Sequence, residues 1–197
     1  MPDRRGRSGA VLTALMLLAS LLPLSCNFGG NSGLDEANRL NQSASDDIRA
    51  IEKIVQENKG REAEVTRALN REDFDAARRM IDDSVKAIDS GLEKAQSAAG
   101  KFDKASKLDI DPTIKEYLSL RAQSVNKAIE AFKELRLGII AFRESTGSKD
   151  KSVTEKAKNE IQQSSVKFDK LINESGRLER QADQIARRNP EKIKPGQ

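Results

Sequence analysis

The sequence predicts an all-α fold, an elongated antiparallel four-helix bundle, with a three-helix bundle or a helical hairpin as the alternative. Three observations carry this. From position 34 to position 189 apolar residues recur at intervals of three and four, which is the period of a helix and not of a strand. Twelve Gly and five Pro are too few for a chain of turn-rich β-hairpins. The breaks in the period also fall at recognisable helix stops and starts, cutting the chain into segments of nearly equal length. At about 35 residues each would be a rod about 53 Å long, and matched rods joined by short turns pack antiparallel.

The first segment is the weakest. Leu34, Ala37, Leu40, Ala44, Ile48, Ile51 and Val55 keep the period, which resumes at Val65 and Leu69. Between them, Asn58-Lys59-Gly60 either ends the helix or interrupts a longer one at a cost of about 1 kcal/mol for the glycine. The second segment runs through Phe74, Ala77, Ile81, Val85, Ile88, Leu92, Ala95, Ala99 and Phe102. Asp111-Pro112 opens the third, a capping carboxylate before a proline whose missing N–H is harmless in the first turn.

That third segment carries Ile114, Leu118, Ala122, Val125, Ile129, Phe132, Leu135, Ile139 and Phe142, and Ser145-Thr146-Gly147-Ser148 ends it. Ser152 with Glu155 has the spacing of a capping box for the fourth. Val153, Ala157, Ile161, Ser164, Phe168, Leu171, Ser175, Leu178, Ala182 and Ile185 follow, and Asn189-Pro190 closes it. If the first helix continues to Leu69, the expected spans are 34–69, 72–106, 112–146 and 152–189, with Phe132 and Phe168 buried on the seams of the last two.

The first thirty residues read differently. Arg4, Arg5 and Arg7 precede fifteen uncharged residues, Ala10 to Leu24, and the only Cys stands at position 26. A bilayer span needs about 20 apolar residues, so this run is short for a permanent anchor and has the form of an export signal. Leu24-Ser25-Cys26 after an apolar run resembles the lipobox of bacterial lipoproteins, although Pro23 stands where that family usually has an aliphatic residue. The resemblance implies cleavage before Cys26 and fatty acylation of that residue (palmitate or a similar chain). The lipid membrane is then its partner. On this reading residues 1–25 are a cleaved signal, 26–33 a lipidated Cys and flexible tether, 34–189 the bundle and 190–197 a basic tail.

Losing residues 1–25 takes three Arg and one Asp from 35 basic and 31 acidic residues, leaving 32 against 30. The mature net charge is +2, well below what the full sequence suggests. With export, one Tyr and no Trp, the composition offers little to nucleic acid.

Chemistry is narrowed by what is missing. With no His and one Cys, the sequence excludes His-containing zinc sites, Ser-His and Cys-His nucleophile pairs, CxxC pairs and internal disulfides. Asp109-Ile110-Asp111-Pro112-Thr113 lacks the strand, or the further oxygen ligands and Gly, that phosphatase and calcium loops need, and reads as a cap. Gly147-Ser148-Lys149-Asp150-Lys151-Ser152 lacks phosphate-loop spacing. Glu72-Asp73-Phe74-Asp75-Ala76-Ala77 resembles part of a tetratricopeptide repeat, but no 34-residue period follows. Carboxylates interleaved with Lys and Arg along each helix read as solvated i,i+4 pairs. No cofactor, metal or catalytic residue is expected.

The expectation is a non-catalytic, membrane-tethered helical lipoprotein of the bacterial cell envelope, a structural module or one that meets another envelope protein of unknown identity. Beyond Cys26 the likeness to small helical lipoproteins is one of helical character. The alternative is a ligand-binding or chaperone-like carrier in the periplasm. An enzyme using carboxylates alone would need two facing across a cleft, which a closed rod does not offer. Four antiparallel helices would bring the C-terminus back to the anchored end. Arg187, Arg188, Lys192 and Lys194 could there meet anionic head groups, leaving the turns near Asn70 and Lys149 as the far tip.

Overall fold

A computed structural model describes residues 26–27 and 32–195, with side chains from 33 to 193. The described residues form a short strand β1 (Cys26–Asn27), helices α1 (Ser32–Glu57), α2 (Arg61–Asn70), α3 (Phe74–Ser106), α4 (Pro112–Ser145) and α5 (Lys151–Arg188), and a short strand β2 (Lys194–Pro195). The fold is an all-α four-helix bundle in which α1 and α2 together occupy the first position. At 33, 34 and 38 residues, α3, α4 and α5 are rods of about 50 to 57 Å.

Of the two readings of Asn58-Lys59-Gly60, the helix ends there and a second one follows, and Gly60 explains the break. Its φ of 95° is left-handed, a conformation glycine adopts without steric cost. The Asn58 side chain donates to the Ile54 carbonyl at 2.7 Å, occupying one of the acceptors that the end of α1 leaves open. Val65 and Ala68 then bury the second piece, which packs on α3. One expectation is corrected at the start of α5. The cap is Asp150, which accepts from the Ser152 N–H at 2.8 Å, so Ser152 lies inside the helix and makes no capping box with Glu155. Asp111 does cap α4, accepting from Thr113 N–H at 2.8 Å, with Pro112 in the first turn.

The helices pack in chain order, α1 on α3, α3 on α4, and α4 on α5. This makes α4 the shared element, buried on two faces. One face carries the apolar run Ile114, Leu118, Val125, Ile129, Phe132 and Ile139. The other is small and polar, with Tyr117, Arg121, Ser124, Ala128, Ala131 and Gly138 all buried. Phe132 and Phe168 are both buried as expected, in an edge-to-face pair with ring centres 5.7 Å apart. Phe74 and Val153, counted on the seams from their spacing, are more than a third exposed because each lies in the first turns of its helix.

Candidate functional site

The end of the bundle where α1 begins and α5 ends is built from four segments. β1 pairs antiparallel with β2, Cys26 opposite Pro195 and Asn27 opposite Lys194. The start of α1 lies on the α3–α4 turn so closely that a Cβ on Gly33 would stand 2.9 Å from the Asp109 carbonyl oxygen. After α5, the Asn189 carbonyl accepts from the N–H groups of Lys192 and Ile193 at 3.0 and 2.9 Å, turning the chain back. That turn drives Ile193 into the core, where it is fully buried.

The sequence-predicted residues divide among these segments. Residues 1–25, the expected signal, lie outside the described residues, as do the side chains of Cys26 and Lys194. Arg187 and Arg188 are exposed in the last turn of α5, complementing the helix dipole. Lys192 is half-buried, and its ammonium donates to Asp111 Oδ2 at 2.9 Å. The bond from Lys192, with the Thr113 N–H, holds the Asp111 carboxyl below the usual carboxylate range. The Asp111 cap of α4 therefore also fastens the chain after α5.

At the opposite end, Gly147 has a φ of 72°, and a Cβ on it would meet the Phe74 side chain at 2.8 to 3.0 Å. Arg78 donates to the Thr146 carbonyl at 2.7 Å across the same junction. The α2–α3 turn and the α4–α5 turn are thus fastened together at this end.

A second group, unforeseen as a constellation, lies in the α4–α5 seam. Arg121, 1% exposed, donates through Nη1 to Glu179 Oε1, and its guanidinium carbon sits 5.2 Å from the centre of the Phe102 ring on α3. One turn along, Ser124 and Ser175 exchange hydrogen bonds between the helices. Burial pushes the Glu179 carboxyl above its ordinary range, with Arg121 opposing the shift and Asp183 adding to it. The readable signal was spacing. Positions 117, 121, 124, 128, 131, 135 and 138 alternate by four and three, the same heptad rhythm as Ala157 to Ile185 on α5. Arg and Ser at those positions conceal the stripe from a search for apolar residues alone.

Elsewhere, Ile51, Val55, Ile88, Leu92, Val125 and Phe132 line an apolar cavity of about 20 Å³ between α1, α3 and α4, room for about one water. Among the described residues, no three acidic or Cys side chains are grouped to hold a metal, and no helix is long and apolar enough to cross a membrane. Comparisons with protein-family models, curated proteins and solved structures gave no match to this chain.

Proposed function

We propose that this protein is a non-catalytic lipoprotein of the bacterial cell envelope, a helical rod held to a membrane through acylated Cys26 and presenting its surface to another envelope protein. The observation that carries the reading is the position of the only Cys, two residues after an uncharged run of fifteen that follows three Arg. Antiparallel pairing of β1 with β2 supports it, because a tether at Cys26 would then leave the rod beside the C-terminal chain. One acyl chain holds a protein marginally, whereas two or three, at about 0.8 kcal/mol per buried methylene, anchor it durably.

On this reading Arg187 and Arg188 face anionic head groups, each contributing on the order of 1 kcal/mol near such a surface. Lys194 adds its charge. Lys192 contributes less, since its ammonium already meets Asp111. The α2–α3 and α4–α5 turns form the tip offered to the partner.

Mass spectrometry of the mature N-terminus from membranes of a bacterial host tests the anchor. Acylated Cys26 as the first residue is expected, with Cys26→Ser giving unprocessed or soluble protein. A free thiol at Cys26, or a mature start elsewhere, would overturn it. Crosslinking in the native envelope would then identify the partner.

A further inference from the structure

A buried carboxyl and a half-buried one beside a single cation are one positive charge short. Glu179 Oε1 accepts from Arg121, but Glu179 Oε2 is buried without a hydrogen-bond partner. So is Asp183 Oδ1, four residues further along α5. Side chains four apart on a helix are neighbours, and two carboxylates there repel each other if both are ionised. Oxygens buried without donors add a further desolvation cost. One hydrogen answers both difficulties. Placed on Glu179 Oε2 and directed toward Asp183, it would leave one guanidinium with one carboxylate, a neutral cluster.

We propose that Glu179 holds a proton on its side towards Asp183 at neutral pH, so that the α4–α5 seam is tightest in mild acid and loosens as that proton leaves. Arg121 is the cation that meets Glu179 in the seam. From α4 the seam receives Arg121 and the hydroxyl of Ser124, which favours the charged form of Glu179, and from α3 the uncharged Phe102. The nearby α3 cations are engaged, Lys101 with Asp47, Lys104 with Glu36 and Lys107 with Asp103. At the end of the bundle Lys192 meets Asp111, while Arg180 and Arg187 of α5 are exposed to solvent.

The raised folded-state affinity of Glu179 for its proton sets the sign. Its contribution to stability is fully present below the ordinary carboxylate range, where folded and unfolded chains both hold the proton. It is lost as pH rises through the folded value. The site is unusually easy to observe. Histidine, the side chain that ordinarily titrates between about pH 5.5 and pH 8, is absent from this sequence.

The test is urea unfolding of the full chain in detergent across that interval. For the wild type, the folded-to-unfolded ratio should fall with rising pH, by up to about tenfold per pH unit between the unfolded and folded values, and level off above the folded one. Glu179→Gln keeps an oxygen for Arg121 and an N–H for Asp183, so its ratio should be flat. A flat wild-type profile, or a Glu179→Gln protein with the wild-type slope, would overturn the proposal. If that variant does not fold, infrared spectroscopy of side-chain-labelled wild-type protein decides. A protonated-carboxyl stretch should be present at pH 7 and lost in Asp183→Asn, and its absence from the wild type would equally overturn the proposal.

Discussion

Ser124 and Ser175 each give their hydroxyl hydrogen to the other's backbone carbonyl, at 3.0 and 2.9 Å, so that two facing helices are joined main chain to main chain through their smallest polar side chains. The exchange requires α4 and α5 to approach closely, as does the pairing of Gly138 with Ser164, where an added Cβ would sit 3.2 Å from the Ser164 Cβ. Ser124→Ala should therefore cost only about 1 kcal/mol, the net value of one hydrogen bond. Ser124→Leu should cost about 1–3 kcal/mol or more through overpacking. Urea midpoints compare them, and equal losses would contradict the close approach.

Phe132 and Phe168 are each 4% exposed and meet edge to face. Truncating either to Ala should cost about 3–5 kcal/mol. A double-mutant cycle should find about 0.5–1.5 kcal/mol of coupling between them, the contribution of the ring pair beyond its burial. Losses below about 1 kcal/mol at both positions would remove these rings from the energetics of the seam.

Gly147 should tolerate no side chain. Its left-handed φ costs an L-residue about 1–2 kcal/mol, and the new Cβ would overlap Phe74. Gly147→Ala should lower the melting temperature. Made together with Phe74→Ala, it should cost less than the two single changes added, because the overlap is then relieved. Strict additivity in a thermal melt would show that only the backbone matters.

Acid should loosen the end where α1 begins and α5 ends. The Asp111 carboxyl is held below its ordinary range by Lys192 and the Thr113 N–H, so its contribution is present above the unfolded carboxylate value and is lost as pH falls through the folded one. Unfolding followed below about pH 4 should show this loss. Asp111→Asn should be less stable at neutral pH and lose less on acidification. Identical acid profiles for the two proteins would place the effect elsewhere.

The bundle was legible in the sequence because Ile, Leu, Val and Phe recur at helical spacing and Asp111-Pro112 announces a helix start. The break at Gly60 stayed ambiguous, since a glycine within a helix and a glycine ending one look alike until φ is known. The second face of α4 was hidden for a different reason. Its members are an Arg, a Ser, two Ala and a Gly beside Tyr117, and each is ordinary on a solvated surface when read alone. They become an interface only when the Ala157–Ile185 heptad is laid against them. Glu179 was counted among solvated charges because nothing local marks it as buried, and its burial depends on Arg121, 58 positions earlier. Ile193 lay beyond the expected last helix, in what read as a basic tail.

The dependence of α5 on α4 has a consequence for how the molecule comes apart. Helices α1 to α3 hold α4 through a mainly aliphatic core, whereas the α4–α5 seam combines apolar contacts of Leu171, Ala182 and Ile185 with serines, a glycine contact, one aromatic pair and a charge cluster. Excursions from the native state therefore divide unevenly. An opening at the α4–α5 seam would uncover serines and charged groups that water can wet, whereas one between α3 and α4 would uncover mainly aliphatic side chains.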